Sequence, residues 1–288
     1  MGEKVYVVVG GERGIGLAVS ERLSQKGKVV LSGYAEKDVV AGTQYLKDKG
    51  IDVVSMVGDI RKEEDMQKLL DAALDTGEIA GVVQVAGLTP TCGDWKAVVE
   101  VDLLAQVGVL KMFKPHMAPG SAFVLFSSSS PYSTERDTLD ACRDALWNAD
   151  EDPDTMWEVI TPYCMLYGEE YAAGLSYGLA KTGVMYMAQK YAALFGEDGI
   201  RVNSVSPGIA DTETTRAELE KYPDVMGQMI YEMTPLKRMS TTMEVATVVD
   251  FLLSDDAAFV SGIDLHVDGG CFAKQRLHKI MPQYIVTI

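Results

Sequence analysis

The stretch "VVVGGERGIG", residues 7–16, joins a β-branched run to the start of a helical pattern. Valine side chains are stiff at χ1 and suit a pleated strand, so the run up to Val9 reads as a strand and the turn after it as a strand-to-helix connection. Within that turn Gly10 permits a tight bend, Gly14 lets the backbone approach a pyrophosphate, and Gly16 lets the helix pack closely on the strand. Ile15 opens the helix, whose N-terminus offers free N–H groups to phosphate oxygens. Such a turn can also be purely structural, so its neighbours decide the reading.

Outward from the turn, short apolar runs alternate with helix-length sequence: "KVYVVV", "KVVLS", "IDVVSMV", "IAGVVQVA", "SAFVLFSS", "IRVNSVS" and "IDLHVD". Runs this apolar have no solvated side and belong to a parallel sheet covered on both faces. The expectation is an α/β, doubly wound (Rossmann) fold of about seven strands. The 288 residues are 47% hydrophobic and 24% charged, which suits one domain spanning 1–288.

Two regions break the rhythm. Residues 129–170 replace a short connection; they carry 11 acids against two arginines and read as a solvated acidic insertion. Leu139, Cys142 and Leu146 recur at helical spacing and predict a short amphipathic helix within it. Residues 209–240 read as a substrate loop in which Met226, Met229, Met233 and Met239 either repack around an apolar ligand or fill the core beneath the loop.

The net charge of −16 repels nucleic-acid phosphates and anionic lipid, and excludes nucleic acid as a partner class. Cys92, Cys142, Cys164 and Cys271 are widely spaced, without a metal-binding pattern, and read as reduced thiols with no metal site. Neither a membrane span nor a leader pattern is seen, Gly2 lacks the hydroxyl expected at position 6 for acylation, and a cytoplasmic location is expected. His116, His266 and His278 stand beside no nucleophile and receive no catalytic role.

"YGLAK" places Tyr177 and Lys181 four residues apart, on one face of a helix. A phenol titrates near 10, and a neighbouring ammonium is expected to pull that value down. Without further support the pair reads equally as a buried tyrosine beside a snorkelling lysine. At the end of the second strand, where an acid would mark NAD, stand Gly33 and Tyr34. Arg13 inside the glycine turn suits a 2′-phosphate instead, so NADP(H) is favoured and NAD(H) is the alternative.

Taken together these blocks resemble the short-chain dehydrogenase/reductase family over nearly the whole chain. "GDI" (Asp59, Ile60) is similar to its adenine-contacting segment, and "QVAG" (with Ala86, Gly87) to its N-N-A-G strand end. "FSSSS" resembles the strand bearing its serine, which falls on Ser128. "SPGIADT" (Pro207, Gly208, Ile209, Thr212) resembles its nicotinamide-clamping turn. The resemblance implies Tyr177 as general acid and base, Lys181 on the nicotinamide ribose, and Ser128 on the substrate oxygen. It also implies a homodimer or homotetramer acting on a secondary alcohol or ketone.

Several positions depart from that pattern. Asp102 stands where the family has an asparagine that helps place a proton-relay water, Val9 replaces a threonine, and Gln84 an asparagine. Ser128 and Tyr177 lie 49 positions apart, across the insertion. Together with a tail after "VDGG", the insertion resembles the 3α-hydroxysteroid dehydrogenase/carbonyl reductase branch. Trp147, Met156, Trp157, Tyr163, Met165 and Tyr167 are expected either to wall an apolar ring system or to reshape a subunit contact. The leading expectation is a hydroxysteroid or bile acid dehydrogenase; the alternatives are a reductase of β-ketoacyl or polyol substrates, or a non-catalytic NAD(P)-binding sensor. The apolar tail is expected to pack on the body or on a neighbouring subunit.

Overall fold

The computed structural model describes residues 3–280; Gly2 and the apolar end of the tail, residues 281–288, lie outside them. At its centre runs β1 (Lys4–Val9), where Val5, Val7 and Val9 face one layer and Tyr6 and Val8 the other. Side chains alternate across a strand, so a run apolar at every position must be covered on both sides. β2 (Lys28–Gly33) and β3 (Val53–Val57) extend the sheet one way. β4 (Glu78–Gln84), β5 (Ala122–Phe126), β6 (Arg201–Pro207) and β7 (Asp264–Val267) extend it the other. The order is β3-β2-β1-β4-β5-β6-β7 with every pairing parallel, a seven-stranded Rossmann sheet as expected.

The helices are α1 (Gly14–Leu23), α2 (Glu36–Asp48), α3 (Glu63–Thr76), α4 (Trp95–Val99), α5 (Ala105–Phe113), α6 (Arg136–Trp147), α7 (Pro153–Cys164), α8 (Glu169–Gly196), α9 (Glu213–Lys221), α10 (Pro223–Gly227), α11 (Thr242–Leu253) and α12 (Cys271–Ile280). α1, α2 and α11 close one face of the sheet, and α3, α5 and α8 the other. The chain winds from β1 out to β3 and returns to β4 on the opposite side. The carboxyl ends of β1 and β4 therefore diverge and leave a crevice. Among the described residues no helix is long and apolar enough to cross a membrane.

The acidic insertion is helical. Cys142 and Leu146 of α6, as the periodicity predicts, and Met156, Ile160 and Cys164 of α7 join the same apolar cluster as Leu179, Val184 and Met187 of α8. Burial pushes the thiols of Cys142 and Cys164 up to about 11 and about 12, which keeps them unreactive. Most of the acids are solvated, but Asp150 turns inward. It accepts from Lys190 Nζ at 2.6 Å and Tyr191 Oη at 2.8 Å, with Lys111 of α5 at 3.6 Å.

The aromatic wall expected from the insertion does not form. Met156 is fully buried, Trp157 meets Trp95 edge-on at 5.9 Å, and Trp147 lies beside Tyr186 at 6.2 Å. None of the six expected residues lines the main cleft: Met156 joins the apolar cluster under α8, Trp157 meets α4, and Met165 and Tyr167 stay exposed. Likewise Met226 is buried, and none of the four loop methionines lines the main cleft.

Candidate active site

The crevice is a cleft of about 710 Å³ running from Tyr34 and Asp59 to Tyr177 and Pro207. Its floor begins at Gly10, whose φ is +82° and whose added Cβ would lie 2.5 Å from the Ala86 backbone nitrogen. The turn after β1 and the end of β4 thus touch so closely that only glycine fits. Gly14 (φ +54°) faces Thr212, and Ile15 begins the wall of α1. Gly16 does not line the cleft; an added Cβ there would lie 1.8 Å from the Gly10 carbonyl oxygen, so its role is the close seating of α1.

Of the remaining positions expected from the sequence, Arg13, Gly33, Tyr34, Asp59, Ile60, Ala86, Gly87, Ser128, Tyr177, Lys181, Pro207, Gly208, Ile209 and Thr212 all line the cleft. A glycine cradle over a helix N-terminus, opening into a long groove of this size, fits an extended dinucleotide. Asp59 does not offer a free carboxylate, because Arg61 grips it with Nε at 3.0 Å and Nη2 at 2.7 Å.

α8 projects Tyr177 and Lys181 together into the cleft beside Pro207, with Lys181 Nζ 5.6 Å from the centre of the phenol ring. Nζ donates to the Phe126 carbonyl oxygen at 3.0 Å, which anchors the ammonium to the end of β5. Two serines follow that strand. Ser127 Oγ donates to the Lys181 carbonyl oxygen at 2.8 Å and braces the helix. Ser128 Oγ accepts from the Ser130 N–H at 3.1 Å and lies close enough to the Tyr177 phenol to lower its titration, so Ser128 is the serine beside the phenol.

Asp102 departs from expectation. It is fully buried and does not line the cleft; it stands behind Lys181 with Oδ2 3.3 Å from Nζ, while Oδ1 accepts from the Leu88 N–H at 2.7 Å. A π-helical turn, Glu100–Leu104, carries it there. Such turns widen a helix by one residue and re-aim a side chain. Gly87 passes over the pair, and an added Cβ would lie 3.1 Å from Asp102 Oδ1 and 3.2 Å from Lys181 Nζ.

The carboxylate changes the electrostatics read from the sequence. Burial pushes the Tyr177 phenol up; Lys181 and the Ser128 hydrogen bond pull it back, but Asp102 and Glu218 push with burial, and the balance lies above the ordinary value. Lys181 thus lowers the phenol as the sequence suggests, but burial and the two carboxylates outweigh it. Burial works against the charge on Lys181, Asp102 and Tyr177 work for it, and the ammonium ends above its usual range. Burial raises Asp102 as well, against Lys181 and the Leu88 N–H.

Sequence reasoning missed Glu12, Arg61, Leu88, Thr91, Cys92, Thr214 and Glu218, all on the cleft. Thr91 Oγ1 donates to Glu218 Oε1 at 3.2 Å and so links the segment after β4 to α9 across the mouth. Only Glu12 had a local signal, an acid inside the glycine turn.

Residues 4–134 match the family model described as short chain dehydrogenase, and residues 163–271 the model described as Enoyl-(Acyl carrier protein) reductase. The chain is 27% identical to cis-4-hydroxycyclohexanecarboxylate dehydrogenase of Sinomonas cyclohexanicum, over 93% of this chain and 96% of that protein. It is 29% identical to the 3-oxoacyl-[acyl-carrier-protein] reductase of Haemophilus influenzae, over 93% and 98%. A solved short-chain type dehydrogenase/reductase from Mycobacterium ulcerans superposes with a TM-score of 0.74 at 25% identity, covering 97% of this chain and 96% of that one. With the parallel sheet, the glycine cradle and the tyrosine–lysine pair in one cleft, these likenesses identify the chain as a member of the short-chain dehydrogenase/reductase family, an oxidoreductase acting on CH–OH and carbonyl groups.

Proposed function

We propose that the protein interconverts a secondary alcohol and a ketone, with Tyr177 as proton donor and acceptor, Ser128 orienting the reacting oxygen and Lys181 holding the nicotinamide ribose. The observation that carries this reading is the meeting of the Tyr177 phenol, the Ser128 hydroxyl and the Lys181 ammonium at the deep end of a glycine-walled cleft. A bound nicotinamide supplies or accepts the hydride and, when oxidised, adds positive charge beside the phenol. In the reducing direction the neutral phenol donates its proton to the developing alkoxide, which suits its raised titration. In the oxidising direction the phenolate must form, and Lys181 together with Ser128 stabilises it. Asp102 acts through Lys181, holding the ammonium charged and in place.

The cofactor is NAD(P)(H): Arg13 supports NADP(H), and Glu12 opposes it. For substrate we propose an apolar ring alcohol or ketone, the 3α-hydroxysteroid type being the favoured member. Leu88, Cys92 and Ile209 line the cleft with Ser128 and Tyr177, and the likeness to a hydroxycyclohexane dehydrogenase points to a ring-borne hydroxyl. The likeness to an acyl-carrier-protein reductase supports a β-ketoacyl substrate instead. The net charge of −16 and Glu218 at the mouth disfavour docking of an acidic carrier. A homodimer or homotetramer is the proposed assembly, read by light scattering.

The deciding experiment follows NADH and NADPH absorbance over a panel of 3-, 7- and 12-oxo bile acids, simple cyclic ketones, β-ketoesters and sugars. Turnover of the ring ketones is expected. Turnover of β-ketoesters alone would install the second reading, and cofactor binding without any turnover would leave a sensor.

A further inference from the structure

Glu12 is part of the glycine turn, yet its side chain is buried with 8% exposure and lies at the carboxyl end of β2. A Cβ added to Gly33 would fall 2.5 Å from the Glu12 carboxyl carbon and 2.7 Å from Oε2. Gly33 is therefore the residue that makes room for this carboxylate. The carbonyl of Glu12 is pinned in turn, since a Cβ on Gly42 of α2 would lie 2.1 Å from it. The acid lies between β2 and α2 on the cleft wall, and its Oε2 has no hydrogen-bond partner. A buried carboxylate oxygen left without a donor is destabilising unless a ligand supplies one.

In dinucleotide-binding sheets of this kind an acid at the end of the second strand hydrogen-bonds the adenosine ribose 2′-hydroxyl. Here the strand end is glycine, and the carboxylate reaches the same place from the turn. Of the two nearby guanidiniums, Arg61 is taken up by its own aspartate and Arg13 stands among carboxylates. Arg13 Nη1 donates to Thr214 Oγ1 at 3.1 Å, with its Nε 3.8 Å from Asp38 Oδ2, and Arg61 is held in a fork by Asp59. A 2′-phosphate at this point would face Glu12 and Asp38 as well as Arg13, with Arg61 held by Asp59.

We infer that Glu12 selects the dinucleotide, its carboxylate accepting the ribose 2′-hydroxyl of NAD(H) and repelling the 2′-phosphate of NADP(H). The inference rests on the dinucleotide reading of the cleft and reverses the preference that Arg13 suggests in the sequence. Loss of a charge-assisted hydrogen bond and gain of a charge repulsion together correspond to about tenfold or more in affinity ratio.

The test is calorimetric titration of the full chain with NADH, NADPH, 5′-AMP and 2′,5′-ADP, the last two reporting the adenosine end alone. The wild type is expected to bind NADH and 5′-AMP at least about tenfold more tightly than their phosphorylated counterparts. Glu12→Gln, which keeps the size, should bring both ratios close to one, and Glu12→Ser should favour the phosphorylated ligands. A wild type that binds NADPH as well as NADH overturns the inference without any variant being needed. An unchanged ratio in a Glu12→Gln protein with wild-type circular dichroism overturns it too. Failure of all four ligands to bind overturns the dinucleotide reading itself.

Discussion

α8 carries two buried lysines, Lys181 and Lys190, and each faces an aspartate. The carboxylate of Asp150 accepts from Lys190 and from the Tyr191 hydroxyl, with Lys111 nearby, and Lys190 also reaches Glu151 at 2.7 Å. Asp102 has one backbone donor for Oδ1 and only the ammonium of Lys181, at 3.3 Å, for Oδ2. A saturated network fixes structure, whereas an under-satisfied buried pair beside a cleft keeps capacity to bond or move a proton. One helix thus holds a fastening and a reactive group, and the count of hydrogen bonds tells them apart.

The largest expected effect lies on the reactive side. Tyr177→Phe should lower turnover by about a thousandfold while leaving the calorimetric affinity for the dinucleotide and the urea midpoint near wild type. Activity within a few-fold of wild type would remove the phenol from the mechanism.

The fastening should answer the other way. Asp150→Ala takes the acceptor from the Tyr191 phenol and leaves Lys190 with Glu151 as its one remaining carboxylate, and is expected to lower unfolding free energy by about 2 kcal/mol while turnover per folded molecule changes little. Urea denaturation beside steady-state kinetics separates the two readouts. Equal losses in both would erase the distinction drawn between the lysines.

Asp102→Asn sharpens the comparison at the site. Removing the negative charge behind Lys181 favours the phenolate, so the rising limb of alcohol oxidation should move by about one unit to lower pH. A purely structural role for Asp102 would change the amplitude of that profile without shifting it.

The smallest effect is on acid stability. The hydrogen bonds from Lys190 and Tyr191 hold Asp150 below its ordinary value of 3.8 although burial opposes them. A depressed carboxylate stabilises the fold above its unfolded value, and that contribution fades as pH falls through the folded one. The gap in urea midpoint between wild type and Asp150→Asn should therefore be full at neutral pH and close as pH drops below 3.8.

Local spacing made the fold legible. β-Branched runs gave the strands, the glycines after Val9 gave the crevice, and four-residue spacing put Tyr177 and Lys181 on one face. What stayed hidden depends on contacts between distant segments. Nothing in "VEVDLL" announces a π-turn, so the meeting of Asp102 with Lys181 had no sequence signal. Charge counting treated all 11 acids of the insertion alike and could not say that Asp150 turns inward. The aromatic residues of α6 and α7 carried no mark of whether a ligand or the neighbouring helices would receive them. The titration of Tyr177 is a sum of burial and several charges, of which the sequence supplies only Lys181.

α8 has β5 and β6 beneath it, α4 alongside and α6 and α7 over it. Its sequence accordingly shows almost no polar stripe, with buried residues from Ala172 through Phe195 on every side. A helix of that composition is insoluble when bare, so the added hairpin of helices serves this chain as an internal roof. Excising residues 136–164 would strip that roof, and the shortened polypeptide should precipitate rather than revert to a leaner enzyme.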